Sequence, residues 1–310
     1  MEYIGLHSQI KRNNFKSVLL LMGFPLLILV GVYAFFFFAY QPYYPAVNYQ
    51  FFKTVPFVLI GVAIWFLIAF ASNTAMIKMA TKAHTLDRKD NMRIYNLTEN
   101  LCMSVGMKMP KLYIIESSAL NAFASGINEK SFAVTLTSGL IETLNDKELE
   151  GVIAHELTHI RNKDVRLLII SIVFVGIFAF IVQIAFRSFL YGGSGRRKNN
   201  KDNGKAMIVI LLIAVVVYFL SMVFKFALSR KREYLADAGA VELTRDSHAL
   251  ASALRKISGN HELKVKSDDV KQMFIENGKS KEKSMFSGLS GMFATHPPID
   301  KRIAILEKGL

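Results

Sequence analysis

Residues 149–176 read LEGVIAHELTHIRNKDVRLLIISIVFVG. In the first half Leu149, Val152 and Ile153 recur at helical spacing, which predicts a helix with one buried stripe. Asn145 stands just ahead of it as a predicted N-cap, and Glu148 falls at the third helical position, where it closes a capping box. On that helix His155 and His159 are four residues apart and share a face. Five residues after His159 the composition changes, and Leu167–Phe186 carries no charge at all. A polar, histidine-bearing helix therefore runs straight into an apolar stretch.

A membrane span needs roughly 20 apolar residues. Three further uncharged windows reach that length: Ser17–Phe52, Thr54–Ile77 and Ala206–Phe224. The first is too long for a signal-peptide core and no small-residue cleavage site follows it, so it reads as a retained anchor. The expected plan is an N-terminal membrane hairpin over 1–78 with spans at about 17–40 and 55–77. A first soluble part follows over 79–164, then a second hairpin over 165–229 with spans at about 166–190 and 206–226. A second soluble part closes the chain over 230–310.

The net charge of +14 could indicate nucleic acid. Here the Lys and Arg flank apolar windows, which points to anionic lipid headgroups instead and argues against a nucleic-acid partner. Lys11, Arg12 and Lys16 precede the first span, and Lys78, Lys82, Arg88, Lys89 and Arg93 follow the second. The loop between them carries only Lys53, so the positive-inside rule puts both ends of the hairpin in the cytoplasm. The loop 191–205 conflicts with that rule, because Arg196, Arg197, Lys198, Lys201 and Lys205 oppose Asp202 alone. Either the earlier spans drag this loop across, or the second hairpin enters only partway; both return the chain to the cytoplasmic side at Lys225. Cys102 is the single cysteine, which excludes an internal disulfide framework and a thiolate cluster.

Within the soluble part, residues 79–106 read as helix. KLYIIES (111–117), NAFASGI (121–127) and SFAVTLTSG (131–139) read as strands, the last two joined by a turn at 128–130. Strands followed by the histidine helix make an α+β arrangement, and the chain as a whole reads as an integral membrane protein with about four transmembrane helices.

Two imidazoles on one helical face can bind one ion, and Glu156, turned by about 100° from His155, can reach a water beside it without ligating. A catalytic zinc needs a third protein ligand. SRKREYLADAGA (229–240) offers Glu233 and Asp237 at i and i+4 on a predicted helix. Glu233 can be that ligand, and Asp237 can accept the other ring N–H of a metal-bound histidine. The competing reading is an exposed acidic pair that balances Arg230, Lys231 and Arg232.

HELTH at 155–159, the apolar hairpin after it, EYLAD at 233–237 and MFATHPPIDKRI at 292–303 together resemble the HtpX family of bacterial membrane zinc proteases. The CAAX prenyl proteases are more distant relatives, and the resemblance extends to the N-terminal hairpin and NAFASG. It implies one zinc ion held by His155, His159 and Glu233, with Glu156 as general base, in a zincin-like protease domain facing the cytoplasm of the bacterial inner membrane. Asp164 would be a helix-end residue, although it reads equally as a charge at the membrane border. Asn121, Ala122 and Phe123 resemble the family's substrate-edge strand, since extended peptides bind by adding a strand to such an edge; core packing alone also explains Phe123. His296 and Arg302 resemble family positions near the site. His296 could donate to a developing oxyanion or simply cap the chain before Pro297 and Pro298.

The expected reaction is endopeptidase cleavage of membrane or misfolded proteins, with polypeptide substrates, the bilayer as partner, and an oligomeric state that the sequence leaves open. One rival is a narrow CAAX-type processing peptidase. Another is a non-catalytic scaffold with a structural metal. The Gly-, Ser- and Lys-rich segment 258–290 reads as a tether or a lid.

Overall fold

The computed structural model describes residues 6–40, 43–191, 215, 230–258 and 297–308. The chain divides into two compact units, one of Met1–Asn14, Ser72–Ile169 and Phe226–Leu310, the other of Phe15–Ala71 and Ile170–Lys225.

The second unit is built from long helices. α1 (Leu6–Tyr40) and α2 (Tyr44–Thr81) begin or end in the other unit but run their apolar lengths here. Both contain a window long and apolar enough to cross a membrane, Asn13–Phe38 and Tyr44–Ser72. Their large apolar side chains face outward: Met22 is 72% exposed and Phe57 72%. A water-soluble protein does not leave such a surface bare. α2 already starts at Tyr44, ahead of the start at about 55 expected for the second span. Pro45 sits in its first turn, where its missing N–H is not needed, and Pro56 lies within the helix. α6 (Asp164–Tyr191) carries the third apolar window. The fourth window, at 206–226, and the basic loop at 191–205 lie outside the described residues, apart from helical Val215.

The first unit holds the sheet. Residues 79–106 are not one helix as expected. α2 ends at Thr81, Lys82 takes a left-handed conformation (φ 56°), and a two-residue strand β1 (His84–Thr85) follows. α3 (Met92–Ser104) then starts afresh, with Asn91 Oδ1 accepting from Ile94 N. β2 (Lys111–Ile115), β3 (Ala122–Ser125) and β4 (Ala133–Thr137) fall where the sequence predicted strands. The sheet order is β1-β2-β4-β3, with β2 and β4 parallel and the other pairs antiparallel. β3 is thus an edge. Its turn into β4 needs Gly126, whose φ is +103° and where a Cβ would lie 2.3 Å from Ser131 O. Asn128 Oδ1 closes that turn by accepting from Lys130 N and Ser131 N.

α4 (Ser138–Thr143) leads to the histidine helix α5 (Asp146–Arg161). Its predicted capping box is present: Asn145 Oδ1 accepts from Glu148 N, and Glu148 Oε2 accepts from Asn145 N, each at 3.0 Å. Leu149, Val152 and Ile153 are fully buried. α5 packs against α3, β3, α7 (Arg230–Thr244) and α8 (Ser247–Ser258), while α9 (Ile299–Glu307) lies on α8.

Glu148 also reaches α8, where Ser252 Oγ donates to it at 2.7 Å and Lys256 Nζ at 2.6 Å. Burial alone would raise its carboxyl; Lys256, Ser252 and Asn145 outweigh that and hold its pKa below the ordinary glutamate value. A depressed folded pKa contributes stability that is present above the unfolded value, about 4.3, and lost as pH falls through the lower folded one. Glu148→Gln keeps a cap oxygen but no charge. Its unfolding midpoint should therefore fall less steeply than wild type as pH drops below about 4.3; parallel slopes in thermal melts would show that this carboxylate does not drive the acid loss.

α7 comes close to α5 at one point. A Cβ on Gly239 would sit 2.4 Å from Thr158 Cγ2 and 2.9 Å from its Oγ1. Thr158 has little room to swing away, since it is β-branched and its Oγ1 donates to Ala154 O at 2.8 Å. Gly239→Ala should cost about 1–3 kcal/mol by overpacking this contact. An unchanged denaturation midpoint would mean that α7 moves off α5 at no cost.

Candidate metal centre

α5 and α7 each present one face to the same buried spot. His155 Nε2 lies 3.6 Å from Glu233 Oε2, and His159 Nε2 lies 3.6 Å from Glu233 Oε1. These separations are too long for hydrogen bonds. They suit donors grouped around an ion, because ligands about 2.0–2.1 Å from a tetrahedral centre lie roughly 3.3–3.4 Å from one another. The ligand atoms of His155, His159 and Glu233 all fall within 4.8 Å of each other. Two imidazoles and one carboxylate are a zinc donor set.

Each far ring nitrogen has a carboxylate oxygen beside it. His155 Nδ1 lies 3.0 Å from Asp237 Oδ1, and His159 Nδ1 lies 3.3 Å from Asp164 Oδ2. A carboxylate on Nδ1 favours the tautomer that leaves Nε2 free. Asp237 is itself gripped by Arg302 on α9, whose Nε donates to Oδ2 at 2.9 Å and whose Nη2 donates to Oδ1 at 2.7 Å. Arg302 is 1% exposed, and its guanidinium also lies 3.5 Å from Glu233 Oε2 and 3.4 Å from His155 Nε2.

The electrostatics favour a cation. Burial, and after it the nearby Arg302, work against charge on His155, but Asp237 and Glu233 outweigh them and push its pKa up to about 9. Burial would likewise raise Asp237, yet Arg302 and His155 hold it below the usual carboxylate range. A pocket that keeps a proton on a buried imidazole stabilises positive charge there, and a metal ion displaces that proton on binding. Glu156 is 2% exposed, and burial pushes its carboxyl above the ordinary value, against the pull of His155 and His159. A backbone hydrogen bond from Ala124 on the edge strand reaches it.

Asn121, Ala122 and Phe123 stand at the start of β3 and are each 1% exposed. The Ala122 N–H donates to Asn121 Oδ1 at 2.9 Å, and Asn121 pairs through its backbone with Thr137. His296 lies outside the described residues, as do His261 and most of the segment 258–290. Sequence reasoning missed the Asp164 contact to His159. It also missed Asn13, whose Nδ2 donates to Asp164 Oδ1 at 2.7 Å across 151 positions; nothing local in the run around Asn13 signals it.

The fold and this cluster define a metal-dependent peptidase of the HExxH class. The sequence pattern of peptidase family M48 matches residues 88–309. The chain is 54% identical to a Protease HtpX homolog of Bacteroides fragilis over 321 residues, covering 99% of this chain and 100% of that one. It is 35% identical to the Protease HtpX homolog of Lactobacillus acidophilus over 309 residues, covering 97% and 99%. The crystal structure of S. mikatae Ste24p is similar at 17% identity and a TM-score of 0.48, covering 98% of this chain and 66% of that one. The chain belongs to peptidase family M48 and, within it, to the HtpX proteases. It is a membrane-associated, zinc-dependent metalloprotease.

Proposed function

We propose that His155, His159 and Glu233 hold the zinc ion and that Glu156 is the general base of an endopeptidase working at the cytoplasmic face of the bacterial inner membrane. The observation that carries the site assignment is the placing of each histidine Nε2 3.6 Å from a different oxygen of one buried glutamate. Zinc, when bound, supplies Lewis acidity, which acidifies water and polarises a carbonyl. Glu156 accepts the proton of the attacking water and delivers it to the leaving amine. Its raised pKa and its contact with Ala124 suit a base oriented toward the strand edge. Asp237 and Asp164 keep the two rings turned, and Arg302 keeps Asp237 charged. The backbone of Asn121, Ala122 and Phe123 guides an extended peptide along β3. His296 is the proposed donor to the developing oxyanion.

Four spans, with the protease domain divided into 79–164 and 230–310 around the second hairpin, follow from the uncharged windows and the positive flanks. Residues 160–166 alone separate His159 from the uncharged window that begins at Leu167. That stretch is only the end of α5, a turn and the start of α6. The substrates are therefore segments of membrane or misfolded proteins close to the bilayer, in keeping with quality control. A scan that moves one cleavable sequence stepwise away from a substrate's span tests this. Cleavage should drop as the spacer grows; rates indifferent to spacer length would remove the membrane-proximal reading.

A further inference from the structure

We infer that Asn13, at the start of the apolar window of α1, is a positioning residue for the zinc site and sets the orientation of His159 through Asp164. The inference rests on the assignment of His159 as a ligand. Asn13 is 7% exposed and Asp164 3% exposed. The Asn13 amide nitrogen donates to Asp164 Oδ1 at 2.7 Å and to Asn162 O at 2.8 Å. A side-chain amide has two N–H donors, so these two bonds commit both of them. The other oxygen of the same carboxylate, Oδ2, faces His159 Nδ1 at 3.3 Å. One oxygen is thus tied to α1 and the other to the ring, which fixes the carboxylate plane between them.

The turn that Asn13 clamps is an unusual one. α5 ends at Arg161, Lys163 is left-handed with φ 58°, and α6 starts at Asp164. Asn162 O and Asp164 Oδ1 flank that left-handed residue on its two sides, and Asn13 bridges them. Arg232 on α7 holds Asp164 by its backbone oxygen at 3.1 Å. That contact fixes where Asp164 stands but not which way its carboxylate turns, which leaves the side-chain orientation to Asn13. The N-terminal helix is therefore more than an anchor: it completes the set of contacts that aims a metal-binding nitrogen.

The test uses the full-length protein in detergent, with zinc affinity read by competition against a chromogenic chelator and thermal unfolding read on the metal-free protein. Asn13→Ala should weaken zinc binding about 10-fold, the low end of the loss seen when the partner directly behind a ligand is removed. Asn13→Asp has nearly the same volume but turns an oxygen toward Asp164, and it should do the same even if the alanine variant folds poorly. On an Asp164→Asn background, Asn13→Ala should cost less than about threefold further, because both act through one carboxylate. Zinc affinity equal to wild type in either folded variant, a lowered metal-free Tm alone, or fully additive losses overturns the inference. His159→Ala separates the two levels. Wild-type zinc affinity in that variant sinks the ligand assignment, whereas zinc lost there but kept in the Asn13 variants sinks only the role of Asn13.

Discussion

Glu156→Gln is expected to retain zinc and native unfolding behaviour while lowering peptide cleavage about 10²–10⁴-fold, the range that a positioned proton-transfer group contributes. Glutamine matches glutamate in shape, so packing around a side chain that is 2% exposed survives. It also relieves the burial cost that raises the carboxyl pKa, so the fold should be as stable as wild type or slightly more so. What it lacks is a basic oxygen. The checks are metal content, a melting curve and a casein or membrane-substrate assay, each on the same preparation. A glutamine variant that cleaves at the wild-type rate assigns the proton transfer to another group. Loss of zinc together with activity would instead make Glu156 part of the metal-holding set.

Arg302→Met is expected to destabilise the protein by about 3–5 kcal/mol, because it strands the buried Asp237 carboxylate without its partner. The pair is fully enclosed: Arg302 is 1% exposed and Asp237 2%. Asp237 holds the guanidinium more firmly charged than usual against its burial, and Arg302 holds Asp237 below the usual carboxylate range. Zinc affinity should fall with stability, by about 10–100-fold, since Asp237 orients His155. Arg302→Lys should not restore either property, because a point charge cannot serve both carboxylate oxygens as the planar fork does. Removing both partners in Arg302→Met/Asp237→Leu should recover much of the stability but none of the lost zinc affinity. If the double variant is no more stable than Arg302→Met, the pair is not the source of the loss. A single Arg302→Met variant with a wild-type Tm would remove the buried pair from the account altogether.

Both expectations rest on residues that differ in how visible they were from the primary structure. The helix with its two histidines was readable to its cap, because Asn145 and Glu148 interact three residues apart and obey local rules. β2, β3 and β4 were readable from apolar and β-branched runs. The pairing of Glu233 with Asp237 was readable as an i, i+4 spacing. Residues 79–106 misled, since a left-handed lysine and a two-residue strand leave no periodic trace. Arg302 was singled out by family resemblance as lying near the site, and its partner there, Asp237, 65 positions away, was not readable.

Composition and spacing displayed the candidates for the chemistry, namely two imidazoles with a carboxylate between them on one helix, a second acidic helix, and apolar windows too long for a soluble core, and the family resemblance chose the zinc reading among the alternatives. These depend on periods of three to twenty residues, which a chain displays without folding. The contacts behind the histidines were decided in three dimensions: the Asp164 carboxylate beside His159 is also held by Asn13 from 151 positions away, and Asp237, beside His155, is gripped by Arg302 from 65 positions away. Contacts of that range arise from how helices pack, and packing leaves no periodic signature in the order of the residues.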